Sequence, residues 1–170
     1  MWWLTLIGAA AGIPLFFLWA AVHELLHIGV LHLCVPVDRW SIKVYPHFHR
    51  GSFRFAAASW TAHYPAGLEE RRRMEWRVSL APRLANIVAA VAFPLSPLFA
   101  TEWVGFAWAI FWGSNLLDLA WGSIGHAESS DLRKASVALD WNPLVLRTLG
   151  FSLFIVSAAA WGLLFWRYHG

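Results

Sequence analysis

Three polar side chains stand close together in the otherwise apolar run FFLWAAVHELLHIGVLHLC, Phe16 to Cys34: His23, Glu24 and His27, with His32 further on. Polar and charged groups are costly in such surroundings unless something compensates them. Their types and spacing suggest the compensation. Residues four apart in a helix share one face, about a turn apart. His23 and His27 can therefore present two imidazoles to one tetrahedral ion such as Zn²⁺. Glu24 sits about 100° around the helix from His23. That places it beside the metal and not on it, where it can take a proton from a metal-activated water. A divalent ion would also keep a buried carboxylate ionised.

Zinc needs at least a third protein ligand. Asp118, in FWGSNLLDLAWGS, is the only acidic residue inside its apolar segment. His27 lies seven residues before Cys34, and Asp118 six before Ile124. The helical rise puts both about 9–10 Å from those ends. The expected ligand set is His23, His27 and Asp118, with Glu24 as general base. Asn115, nearly one turn before Asp118, can orient a ligand or bind substrate backbone, or make an interhelical hydrogen bond. His32 is about 140° off the face of His27 and is not an expected ligand. His47, His49, His63 and His126 are read as surface histidines, with a loop-borne ligand or lid role as the competing reading.

These residues need a frame to hold them, and composition describes it. The chain has 170 residues, 59% hydrophobic and 14% charged, with 13 tryptophans. Soluble domains carry about 25% charged residues, and Trp favours the membrane–water boundary. The expected fold is a single all-α integral membrane domain over residues 1–170, with four membrane helices at 2–34, 79–99, 104–124 and 144–166. A span needs about 20 apolar residues. The first segment lacks the basic start and short apolar core of a signal peptide. Pro82, Pro94 and Pro97 are expected to kink or end the second helix. The one cysteine, Cys34, excludes an internal disulfide framework.

Between the first two segments, residues 40–60 alternate β-branched and aromatic residues about Arg50-Gly51. They predict a small β-hairpin with Pro46 on an edge. The charged stretch GLEERRRMEWRV reads as a solvated helix start or loop, with anionic-lipid binding by Arg71, Arg72 and Arg73 as the competing reading. Twelve of the 13 basic residues fall on one side of the four-helix arrangement. The positive-inside rule makes that side cytosolic and puts both termini outside. The expected setting is a bacterial cytoplasmic membrane, with the site facing the cytosol and no nucleic-acid partner.

HELLH in the first apolar segment, NLLD in a later one and an intervening hairpin together resemble the site-2 protease family of intramembrane zinc metalloproteases. The likeness covers roughly residues 15–125. PRLAN, Pro82 to Asn86, is similar to the family's GPLAN without its glycine. LDLAWG around Asp118 lacks the glycine that follows the family's aspartate. The same order of motifs also resembles a small family of membrane zincin peptidases. The resemblance implies a zinc endopeptidase that cuts a membrane-embedded segment of a membrane-protein substrate near its cytosolic end. It implies Zn²⁺ on His23, His27 and Asp118, and a substrate-binding role for Asn86. The substrate must unwind to be cut, and the hairpin edge could hold it by strand addition. Simple shielding of the site is the plainer role for the hairpin. Two rivals stand beside this reading. A histidine-rich di-iron oxidase or desaturase commonly needs adjacent histidine pairs, and the chain has no His-His. A non-catalytic metal-binding membrane protein would need the histidines but not Glu24.

Overall fold

The structure is a computed structural model that describes residues 2–49, 52–92, 102–124 and 130–169. Among these residues the chain is mostly helical, with four short strands. Helix α1, Trp2–Cys34, runs through Pro14. Strands β1, Val37–Lys43, β2, His47–His49, β3, Ser52–Arg54, and β4, Ala57–Ala62, follow. Helix α2 covers Leu68–Ala92, α3 Glu102–Ile124, α4 Asp131–Leu139 and α5 Pro143–His169.

Two of these helices contain stretches long and apolar enough to cross a membrane, Ala10–Cys34 and Pro143–Leu164. Four spans were expected, and the sequence explains the shortfall. Helix α2 begins eleven residues earlier than the expected span, at Leu68 instead of 79. It therefore carries the charged LEERRRMEWR segment as helix, with Glu69 and Glu70 in the first turn, where the helix dipole favours acids. Pro82 lies inside α2, while Pro94 and Pro97 lie outside the described residues. Helix α3 holds Asn115 and Asp118 within its apolar run, which lowers its hydropathy.

The expected single hairpin is a hairpin in two parts. Strands β1 and β4 pair antiparallel at its base, with Trp40 opposite Trp60, and β2 and β3 pair at its tip. Pro46, which cannot donate to a ladder, lies in the break between β1 and β2. The turn residues Arg50 and Gly51 lie outside the described residues. The hairpin does not extend beyond the end of α1 but folds back along it. Phe55 packs edge-on against Phe16, with ring centroids 5.2 Å apart. Phe16 precedes Cys34 by 18 residues, about 27 Å of helix.

Two apolar clusters fix the frame. Leu31 and Val35, at and just beyond the end of α1, pack with Met74 and Val78 of α2 against Trp60 and Ala62 of β4. Trp112 and Leu116 of α3 pack against Phe154, Ala158, Trp161 and Leu164 of α5, and the Trp112 and Trp161 rings stack at 5.9 Å. Helix α4 was not foreseen. Ser130 caps its start by accepting from the Arg133 N–H, and Asp140 closes it in the left-handed region at φ 57°, a conformation that Asp tolerates better than most residues. Leu132, Ala135 and Ala138 bury its inner face.

Candidate metal centre

Four helices converge on one polar cluster. Helix α1 brings His23 and His27, α2 brings Arg83 and Asn86, and α3 brings Asp118 and Asn115. The first residue of α4 is Asp131. All except Asp118 are buried, and Asn86 and Asn115 have no exposed surface.

The two imidazoles are held the same way. His27 Nδ1 is 2.7 Å from the Val78 carbonyl oxygen. A carbonyl only accepts, so Nδ1 carries the proton. His23 Nδ1 donates likewise to Asp118 Oδ2 at 2.8 Å. Nε2 of each ring then faces inward. There it meets Asp131: His23 Nε2 is 3.2 Å from Oδ2, and His27 Nε2 is 3.5 Å from Oδ1. Burial alone would push the Asp131 carboxyl up. Its contacts with His23 and His27 and the nearby Arg83 guanidinium outweigh that and hold it well below the usual carboxylate range. An ionised carboxylate only accepts. The two Nε2 atoms and the Asp131 carboxylate thus point at one space, where either protons on Nε2 or a metal ion can hold them together.

The dimensions suit a metal. One ligand atom from each of His23, His27 and Asp131 lies within 4.8 Å of the others. Ligands of a tetrahedral zinc ion stand roughly 3.3–3.4 Å apart, given bonds of about 2.0–2.1 Å to nitrogen or oxygen. The two histidine–Asp131 separations, one to each carboxylate oxygen, are of that order. Both Nδ1 atoms are anchored from behind, as metal-bound histidines ordinarily are. His23, His27 and Asp131 can thus hold a metal ion.

Asp118 is not in this group. It stands behind His23 and is the hub of the cluster's hydrogen bonds. Its Oδ2 accepts from Trp19 Nε1, His23 Nδ1 and Asn86 Nδ2, and its Oδ1 pairs with Arg83 Nη1 at 3.1 Å. Arg83 also donates to the Asp118 carbonyl at 2.9 Å and pairs with Asp131 Oδ2 at 3.2 Å. Asn115 donates to the Asn86 carbonyl, an interhelical bond between α3 and α2. Glu24 is half-buried, and its Oε2 accepts the Ala58 N–H of β4 at 2.8 Å. The motif's acid thus ties the hairpin to α1.

Of the remaining histidines, His32 is exposed, His63 pairs with Asp38 on the surface at 3.1 Å, and His47 contacts the Tyr45 carbonyl. None belongs to the group. Only the backbone of His49 is described, in β2, and His126 lies outside the described residues.

Sequence reasoning missed Asp131 and Arg83. Asp131 follows a helix-capping serine in SSD, where an acid is ordinary, so nothing marked it. Arg83 had a signal, because it stands alone between the charged start of α2 and an apolar run. An ionisable residue at such a place is a functional hypothesis by default.

Comparison of the chain with protein-family models, with curated proteins and with solved structures finds no match.

Proposed function

We propose that this chain is an integral membrane zinc endopeptidase that cuts a membrane-embedded segment of a protein substrate near its cytosolic end. The observation that carries the reading is HELLH in a metal-competent setting. Its two histidines are anchored at Nδ1 and face Asp131 through Nε2, and the motif's glutamate is left outside the ligand group. In this reading the ligands are His23, His27 and Asp131, and Asp118 orients His23. Four spans are proposed: the stretches in α1 and α5 that meet the length and hydropathy of a crossing, together with the apolar part of α2 and α3. The basic residues put their shared end in the cytosol.

Zinc, when bound, would polarise the scissile carbonyl and activate a water. The chain's own residues do the rest. Glu24 accepts the proton and passes it to the leaving amine. The hairpin lies along α1 beside the motif. Non-helical backbone at membrane depth is tolerated only inside protein or along a wet cavity, so its position favours the water that hydrolysis requires. Its strands offer the edge on which an unwound substrate can pair.

One observation favours the non-catalytic alternative. Glu24 already anchors β4 through the Ala58 N–H, a structural task that a metal carrier would also use. Glu24→Gln separates the two readings, because glutamine keeps an acceptor for that N–H and loses only the base. Membranes from cells expressing the wild type or Glu24→Gln are compared for new protein N-termini. Loss of a general base costs about 10²–10⁴-fold, so cuts inside membrane segments should appear with the wild type only. Identical N-termini in both would overturn the peptidase.

A further inference from the structure

Arg83 is the one positive side chain that touches the candidate centre among the described residues. Its guanidinium bridges Asp118 and Asp131 while only 7% of the residue is exposed. It lies against α3, where its Nη1 donates to the Asp118 carbonyl. A Cβ added at Gly122 would sit 2.6 Å from its Cζ and Nη2, so Gly122 is where α3 leaves room for it. The Asp131 oxygen that takes its Nη2 is also the one beside His23 Nε2. Arg83 and a metal held by His23 and His27 would therefore bind the same carboxylate.

The charges give this overlap a consequence. Asp118 and Asp131 bring two carboxylates into a buried space, and Arg83 is the permanent cation that pairs with both. Without Arg83 the metal-free cluster would have only protons on His23 and His27 to offset the two carboxylates, and a proton on Nε2 blocks the nitrogen that would bind the metal. With it, one guanidinium serves both. Structural zinc sites differ, because many of their domains are unfolded without metal.

Building on the metal-centre reading above, we propose that Arg83 is a positioning residue that stands in for the metal. It supplies the counter-charge that keeps Asp131 docked on His23 and His27 before the ion enters, so that the centre is assembled while empty and ready to load. Arg83 and the metal are then alternative stabilisers of one carboxylate, and each should matter more when the other is missing.

The test is the thermal stability of the full chain in nanodiscs, wild type against Arg83→Gln, each with a chelator and with zinc. Zinc should raise the midpoint of the wild type modestly. It should raise that of Arg83→Gln by at least about 5 °C more, since stranding one partner of a buried pair is worth several degrees in a chain of this size. Zinc affinity, read by competition with a chromophoric chelator, should rise at least tenfold in Arg83→Gln. A variant that accumulates folded only when zinc is supplied would also agree. Equal zinc-induced shifts in the two proteins, or a variant that fails to fold even with zinc, would overturn the proposal. Failure of the wild type to bind zinc would instead remove the metal centre itself, an outcome that the wild-type titration reports separately.

Discussion

Replacing Gly122 with alanine adds one methyl group to α3, and the structure says where it goes. The new Cβ would stand 2.6 Å from Arg83 Cζ and Nη2 and 2.9 Å from Nη1. An arginine head can usually swing aside. This one is pinned by the Asp118 carbonyl at 2.9 Å, Asp118 Oδ1 at 3.1 Å and Asp131 Oδ2 at 3.2 Å. Removing one partner of a buried pair costs about 3–5 kcal/mol, an upper bound here because a displaced guanidinium keeps part of its pairing. About 2–3 kcal/mol is expected, which lowers the melting midpoint by roughly 4–12 °C for a chain of this length. Gly113, on the same helix, is the control, because a Cβ there meets nothing within 4 Å. Gly113→Ala should be neutral or stabilising by up to about 1 kcal/mol, the helix propensity gain. The assay is thermal unfolding of purified protein in nanodiscs. The Gly122→Ala penalty should largely disappear in an Arg83→Gln background, because the group it strikes is gone. Equal effects at Gly122 and Gly113, or an undiminished penalty in the double variant, would refute the placement of Arg83.

Asp118→Asn should weaken zinc about 10–100-fold without abolishing it, the usual cost of losing a partner behind a ligand, as read by chelator competition. The effect should come through His23, because the new amide would turn a donor toward the donors of Trp19, His23 or Arg83. Cysteines introduced at Arg72 and Ser130 should react with an impermeant reagent only after cells are permeabilised, and one at Glu102 in intact cells. Labelling of Arg72→Cys from outside would reverse the orientation read from the basic residues.

Periodicity and composition made α1, α3 and α5 legible, because long apolar runs state both their type and their extent. HELLH was legible because the chemistry resides in a spacing of four on one helix. The depth argument brought Asp118 to the level of the histidines, and the structure does put its carboxylate against His23. Depth does not say which nitrogen of an imidazole a carboxylate meets, and Asp118 meets Nδ1. The atom opposite, Asp131, arrives on a nine-residue helix that reads locally as a polar loop. Its packing, chiefly against α2, brings it to the cluster. The hairpin was legible from alternation and turn residues, but its fold back along α1 depends on contacts such as Phe16 with Phe55, between residues far apart in sequence. Charge counting entered Arg83 only as one of the twelve basic residues on one side, at the start of the expected second span. Burial between two carboxylates is a tertiary fact.

The most direct measurement of the central claim is the zinc content of the purified chain and its single variants by mass spectrometry. The wild type should hold one zinc per chain. Glu24→Gln should hold the same, because Glu24 accepts the Ala58 N–H and lies outside the ligand group. Asp131→Ala should lose the metal, as should His23→Ala and His27→Ala, while Asp118→Ala keeps a weakened site. Full zinc in Asp131→Ala with none in Asp118→Ala would contradict this and make the α3 aspartate the ligand. A wild type without zinc would leave HELLH as a hydrogen-bonded histidine pair and remove the peptidase with it.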